Sequence, residues 1–419
     1  MGRGRLLGTA ACQVLDGGEL ILGLLEEALE AIDGAPLLDH HGIELLDGLL
    51  GVRDLAFERL KPGVGLWGGH RLSSCVHASL AVLSYGTMAF NGVGPREEKR
   101  MFVVAGESLI DLVAKRRRSG GGPAFAAHPG GSPYNCARAL GRLGLDTGFL
   151  CPISSDGFGD VLLAPLQAAG VTPLLRARSA RPTTLAVMTP DARGLPHYTF
   201  YREGTAERDL DRAALIGALP ERVNLFQMGG FLPIAPQDAA IWIDIVDEAA
   251  RRNALLSIDP NVRPSLIDDF AGYKERLSRF LDRAHVVKLS DEDVAALDPG
   301  ISVEAHARHL LSRPHCRLLV VTRGEAGSVA FTRSARAESG TYRPAQFGDT
   351  VGAGDSLMAG VLAALADKDA LSPAGLDRLS EANLAAVLEF GAVVAGINCG
   401  HVGCHPPSRA EVEAVLAAR

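Results

Sequence analysis

An α/β fold is predicted for this 419-residue chain: a mostly parallel central sheet flanked by helices, with a small second β-sheet beside it. Three features carry that prediction. Short apolar stretches end in polar residues, Gly or Pro: TGFLCPIS (147–154), LFQMGGF (225–231), ALLSIDPN (254–261), HVVKLS (285–290) and CRLLVVTRG (316–324). Between them lie helical stretches over Ala239–Arg252, Tyr273–Ala284 and Val303–Ser312. Strand and helix alternating at this spacing belong to parallel strands joined by crossover helices. The third feature is Pro182–Glu203, where two alternating strands flank Asp191-Ala192-Arg193-Gly194, a hairpin turn signal.

Composition supports a large buried core, at 47% hydrophobic and 22% charged. A formal net charge of −7 gives no electrostatic reason to expect nucleic acid or an anionic membrane as partner. No apolar run reaches the roughly 18–20 residues of a spanning helix. Seven scattered Cys suit free thiols better than a disulfide framework, so a cytoplasmic protein is expected.

Residues 1–100 carry Leu/Gly-rich stretches without a repeating βα pattern, although Leu20–Ile32 has helical periodicity. Residues 91–100 read as a polar linker. This first part is expected to be an upstream stretch included by a misplaced start, with a regulatory extension as the alternative. From Met101 the pattern clears. MFVVAGESLIDLV is a buried strand followed by a second extended piece, and Ser132–Leu143 is a helix opened by Ser and Pro and closed by Gly144. Val103–Leu112 and Pro123–His128 are expected to join the 182–204 hairpin in the small sheet. Lys115–Arg118 followed by Ser119–Gly122 reads as a solvated hairpin tip.

Chemistry concentrates in three places. Gly348-Asp349-Thr350-Val351-Gly352-Ala353-Gly354-Asp355 leads into the apolar helix VLAALA. Small residues at 352–354 let backbone N–H groups converge on an anion at a helix N-terminus. A carboxylate inside a phosphate cradle repels its ligand unless it removes a proton from an attacking hydroxyl, which points to phosphoryl transfer to an alcohol. An ordinary capping Asp is the competing reading. The second place is Gly130-Gly131-Ser132-Pro133-Tyr134-Asn135, where paired glycines permit close approach and Asn135 can grip a hydroxyl. The third is Gly106-Glu107-Ser108-Leu109-Ile110-Asp111, two carboxylates at a strand end that need partners.

Together these motifs resemble the ribokinase-like (PfkB) family of carbohydrate kinases, fructokinase-like members in particular. DTVGAGD resembles the family's C-terminal motif and GGSPYNCARALGRLGLDTGFLCPISSDGFGD its N-terminal one, with IDPNVRPSL, VVKLSDED and VTRGEAGS between them in order. The resemblance covers residues 101–419 and implies a ribokinase-like sugar kinase domain with a β lid at about 102–130 and 182–204. It implies Asp355 as catalytic base and Gly352, Ala353 and Gly354 as the anion hole. Asp111, Gly130, Gly131 and Asn135 match sugar contacts. Lys288, Ser290, Thr322, Gly324 and Gly327 fall on the ATP side. Ser290 and Asp293 replace the ends of the family's Asn-x-x-Glu near the magnesium, so Asp293 is expected to reach Mg²⁺ through water. Asp349 lies near the family's monovalent-cation loop, which leaves potassium activation open.

The resemblance thus implies a sugar and ATP as partners and ATP with Mg²⁺ as co-substrate and cofactor. A catalytically silent regulator on the same fold and a 2-keto-3-deoxygluconate kinase are the alternatives. Arg202, on the second strand of the hairpin, is the residue expected to discriminate the acceptor, because a cation over the pocket pairs with a sugar acid. Pairing with Glu203 or a neighbouring acid is its competing role. Leu185, Val187, Tyr198 and Phe200 offer apolar strand faces that would suit a homodimer through the lid. Cys399-Gly400-His401-Val402-Gly403-Cys404-His405 packs four metal-ligating side chains together, but structural zinc draws on two separated pairs, and in the family this is a loop near the nucleotide base. His306 and His309 share a helix face that reads as solvated. A nicotinamide dehydrogenase needs a G-x-G-x-x-G turn after the first strand, and Val103–Asp111 lacks it.

Overall fold

A computed structural model describes residues 101–115, 124–190 and 196–419. The helix expected at 20–32, the linker at 91–100, the tip at 116–122 and the turn at 191–194 lie outside the described residues.

The central sheet has nine strands in the order β13-β12-β11-β10-β9-β8-β1-β4-β5. In chain order these are β1 (Met101–Ala105), β4 (Thr147–Leu150), β5 (Val171–Pro173), β8 (Val223–Gly229), β9 (Leu255–Asp259), β10 (Val286–Ser290), β11 (Leu318–Thr322), β12 (Ser328–Phe331) and β13 (Arg336–Ser339). From β11 to β5 every pairing is parallel, and β12 and β13 add an antiparallel edge. Side chains of a strand alternate between faces, so a strand covered on both sides must be apolar throughout. β1 shows this directly: Phe102 and Val104 enter one core, Val103 and Ala105 the other.

The first core is roofed by α1 (Ser132–Arg142), α2 (Gly157–Ala168), α8 (Ala353–Asp367), α10 (Glu381–Asn398) and α11 (Arg409–Ala417). The second is covered by α3 (Arg212–Ala218), α4 (Pro236–Arg251), α5 (Phe270–Leu281), α6 (Asp291–Leu297) and α7 (Val303–Leu311). A short α9 (Pro373–Asp377) links α8 to α10. Glu381–Asn398 is long and apolar enough by composition to cross a membrane, yet 56% of it is buried inside this fold. It packs on α8 where Gly360 faces Gly391, and a Cβ on Gly360 would come within 2.8 Å of the Gly391 Cα.

The second sheet has the order β3-β2-β6-β7, from β2 (Leu109–Ala114), β3 (Phe125–Gly130), β6 (Leu185–Pro190) and β7 (Pro196–Tyr201). The antiparallel β6–β7 register is that of the expected hairpin. One boundary differs from expectation. Met101–Ala105 belongs to the central sheet, and the chain crosses to the small sheet only at Leu109. Gly106 makes the crossing at φ 144°, where a Cβ would lie 2.3 Å from Pro133 Cγ. The small sheet's own core is thin, with Leu109, Ala186 and Phe231 buried together under Phe200 and Leu266.

β1 runs outward to β4 and β5, whereas β8 starts the opposite walk to β9, β10 and β11. The polypeptide therefore changes direction between β1 and β8, and the carboxyl ends of these strands line one edge. Such a switch point is where open α/β sheets bind ligands.

Candidate active site

Two helices begin at that edge, and both start from glycine. Gly131 precedes α1 at φ 108°, and Gly352 precedes α8 in the left-handed region at φ 72°. Neither start carries a local side-chain cap. Most other described helices do, through Asp156, Asp211, Asp269, Ser290, Ser302, Ser372, Ser380 or Ser408. An uncapped start leaves N–H groups of the first turn available to an anion.

Asp355 lies in the first turn of α8 and is buried. Its Oδ1 accepts the Ser132 hydroxyl at 2.7 Å and its Oδ2 accepts the Asn135 amide at 2.9 Å. α1 therefore aims the carboxylate of α8. Burial raises the Asp355 pKa above its ordinary value, against the opposing pull of these hydrogen bonds and of Lys288 and Arg263. Asn135 Oδ1 is buried with no hydrogen-bond partner among the described residues, which leaves an acceptor open at this edge.

Lys288 stands behind the start of α8. Its ammonium pairs with Asp259 at 2.8 Å, both side chains being about 95% buried. A Cβ on Gly354 would sit 3.1 Å from Lys288 Nζ. Burial opposes the charge on Lys288, but Asp259, Asp293 and Asp355 outweigh it and raise the pKa. The cation reinforces the positive end of the helix.

Asp111 leaves β2 toward the same edge, where a Cβ on Gly130 would come within 2.2 Å of its Oδ2. Burial lifts its pKa to about 6, with Asp355 adding to the rise and Arg263 opposing it. Asp111, Gly130, Gly131, Asn135, Gly352, Ala353, Gly354 and Asp355 thus belong to one locality.

Other expected site residues sit differently. Asp293, expected to reach Mg²⁺ through water, accepts the Val262 N–H with Oδ1 and the Ser290 N–H with Oδ2, both at 2.8 Å. With Ser290 it closes a capping box on α6, so it shapes the edge. Thr322 ends β11, and Gly324 and Gly327 follow at φ 53° and 82° in a tight loop, where a Cβ on Gly327 would meet the Ser339 carbonyl at 2.1 Å. Asp349 accepts the N–H groups of Val351 and Gly403 at 2.9 and 2.8 Å and so ties the 348–352 loop to the 399–405 loop. Arg202 lies just beyond β7, not within it. Its Nε bonds Glu207 at 3.0 Å, and its guanidinium stacks 4.8 Å above Phe231. Its ion partner is Glu207; Glu203 pairs with Arg208 instead. The expectation for His306 is corrected as well: it is 4% exposed and its Nδ1 lies 3.0 Å from Asp298.

Ser132, Asp259 and Arg263 are not site residues by the sequence reading, whereas Glu107, a strand-end carboxylate expected to need partners, finds them in the N–H groups of Ser132 and Phe231. Ser132 stood inside the Gly-rich motif, and Asp259 and Arg263 stood inside IDPNVRPSL. Only the chain's closure brings them to Asp355.

A family model for the pfkB family carbohydrate kinases matches residues 99–411. The chain belongs to that family. The kinase is 35% identical over 266 residues to a fructokinase of Rhizobium leguminosarum bv. trifolii, which spans 63% of this chain and 79% of that enzyme. It is 32% identical over 317 residues to fructokinase-1 of Oryza sativa subsp. japonica, covering 75% of this chain and 96% of the rice protein. A solved fructokinase with bound ATP from Xylella fastidiosa superimposes with a TM-score of 0.68 at 27% identity, covering 76% of this chain and 99% of that one. The fold of this kinase is therefore the ribokinase-like one, and it is a sugar kinase, a phosphotransferase with an alcohol acceptor.

Proposed function

We propose that this kinase transfers the γ-phosphoryl group of ATP to a hydroxyl of fructose. The observation that carries the reading is Asp355, buried in the first turn of a helix that no side chain caps and aimed by Ser132 and Asn135. A raised pKa makes its carboxylate a stronger base toward an acceptor hydroxyl. The N–H groups of Gly352–Asp355 and the helix dipole favour the charge that grows on the transferring group, with Lys288 adding a buried cation. The orphaned Oδ1 of Asn135 and the Asp111 carboxylate supply acceptors for sugar hydroxyls.

Magnesium suits this chemistry as an ion carried by the nucleotide. Among the described residues no group of three or more His, Cys, Asp or Glu is arranged to hold a metal. Mg²⁺ is commonly bound through substrate phosphates and waters with one or two carboxylates. When bound, it neutralises phosphate charge. Asp349 and the two loops it joins are the place where a monovalent cation would act.

Arg202 supports a neutral acceptor. Its Nε–H is taken by Glu207, its guanidinium lies over Phe231 and its side chain is 11% exposed, so its charge is already met inside the protein. The fructokinase relatives agree with that choice. A coupled assay of ADP release tests it through kcat/KM for fructose and for 2-keto-3-deoxygluconate. Fructose is expected to be preferred by roughly tenfold or more. A preference of that size for the acid, abolished by Arg202→Ala, would overturn the assignment.

A further inference from the structure

We propose that Glu107 is a positioning residue for the reaction: by accepting the main-chain N–H of Ser132 it fixes the first turn of α1, and with it the Ser132 hydroxyl and Asn135 amide that orient Asp355. The proposal rests on the reading of Asp355 as the base. Glu107 follows β1 directly, at the switch point of the sheet. Its Oε1 accepts the Ser132 N–H at 3.1 Å and its Oε2 accepts the Phe231 N–H at 2.9 Å. One carboxylate thus ties the start of α1 to the residues that follow β8. The next link is the Ser132 hydroxyl, 2.7 Å from Asp355 Oδ1.

The surroundings are shaped to admit this carboxylate. Glu107 is 3% exposed. A Cβ on Gly230 would fall 2.0 Å from its Oε2, and a Cβ on Gly131 would fall 2.6 Å from its carbonyl oxygen. Both glycines also adopt positive φ, at 63° and 108°, so each is required by conformation and by space.

A buried carboxylate whose hydrogen bonds come from backbone donors is costly to the fold. Burial pushes the Glu107 pKa up to about 7, the neighbouring Glu207 raises it further, and the Phe231 and Ser132 N–H groups pull it down. The charged or titratable groups that face it are Glu207, itself paired with Arg202, and the Cys151 thiol. No cation meets the carboxylate directly in these contacts. The geometry explains why such a group is kept: two oxygens spanning two N–H donors hold α1 more rigidly than a neutral amide, which presents one acceptor and one clashing NH₂.

Turnover and a titration together decide the matter. Glu107→Gln should lower kcat by about tenfold or more, since small misplacements of a reacting group are costly, and leave KM for ATP and fructose within about threefold. Ser132→Ala should lower kcat as well. Because both act on the same first turn of α1, the two losses should overlap: the double variant should be slower than Ser132→Ala alone by clearly less than the factor Glu107→Gln costs on its own, whereas a full product of the two losses would overturn the proposal. Should Glu107→Gln not fold, the wild-type full chain still answers. The amide resonances of Ser132 and Phe231 should move together with a common midpoint near neutral pH. If neither moves between about pH 3 and 9, or if the two move with different midpoints, the link is absent. A wild-type protein that turns over no sugar while both amides titrate together would strike the reading of Asp355 and leave the link from Glu107 to Ser132 standing.

Discussion

The two helix starts that meet at Asp355 solve opposite problems with the same opening. Both begin after a glycine at positive φ, and neither is capped by its own sequence. At α1 the protein supplies the anion itself, because Glu107 occupies the Ser132 N–H. At α8 it supplies a cation behind the turn, because Lys288 sits beside Gly354. On the proposed reading, the first arrangement holds side chains still for an acceptor, and the second keeps a positive surface for a phosphate. A helix N-terminus is therefore a structural device or a catalytic one according to which charge is placed next to it.

The largest effect on folding is expected at the cation. Lys288→Met leaves Asp259 buried without its partner, and breaking a buried pair in this way typically costs about 3–5 kcal/mol. Denaturant unfolding would show it, together with loss of turnover. A stable, active Lys288→Met protein would break the contrast between the two starts.

Gly352→Ala ranks next. At φ 72° the new side chain pays a left-handed penalty of about 1–2 kcal/mol, and its Cβ would lie 2.5 Å from Cys404 Sγ. Gly144→Ala makes the control, since Gly144 has φ 83° but open space around it. Both variants should lose stability by unfolding assay, Gly352→Ala more, and only Gly352→Ala should lose kcat.

Gly354→Ala is milder for the fold, because it keeps a negative φ and its Cβ would need Lys288 Nζ, 3.1 Å away, to give by only a few tenths of an ångström, and a cost of about 1 kcal/mol is expected. Its signature is a raised KM for ATP.

A pH dependence separates the acceptor side from these packing effects. Asp111 has a folded pKa of about 6 against 3.8 ordinarily, so the folded protein holds the proton more tightly than the unfolded chain. Stability is lost as pH rises from the ordinary value through about 6. Asp111→Asn removes that loss and should raise Tm at pH 8 relative to wild type, with the gain fading as the pH approaches 4. An equal Tm difference at both pH values would contradict it.

The parts of this kinase legible in its sequence are those whose physics is local. Strands such as Val286–Ser290 announce themselves as apolar runs that stop at a polar residue, and Gly352–Asp355 as a small-residue helix start carrying an acid. Glu381–Asn398 gives no helical signal in the sequence because it is apolar on most of its circumference and shows little period, as a helix between other helices should. The site's wiring was hidden for another reason. Glu107 finds its donors 25 and 124 residues away, and Arg202 finds Phe231 across the fold. His306 is buried with its Nδ1 3.0 Å from Asp298, just past the end of α6, a neighbour that helical spacing on α7 cannot reveal.

The central claim is that Asp355 removes the acceptor's proton while the start of α8 holds the phosphate. Replacing Asp355 by Asn separates the two tasks, because the amide keeps the size of the side chain but cannot act as the base. ATP and fructose affinities, measured by calorimetry, should stay within a few-fold of wild type, while kcat falls by about 10²–10⁴-fold, the range of a lost general base. Turnover of the Asp355→Asn protein close to the wild-type value would contradict the account.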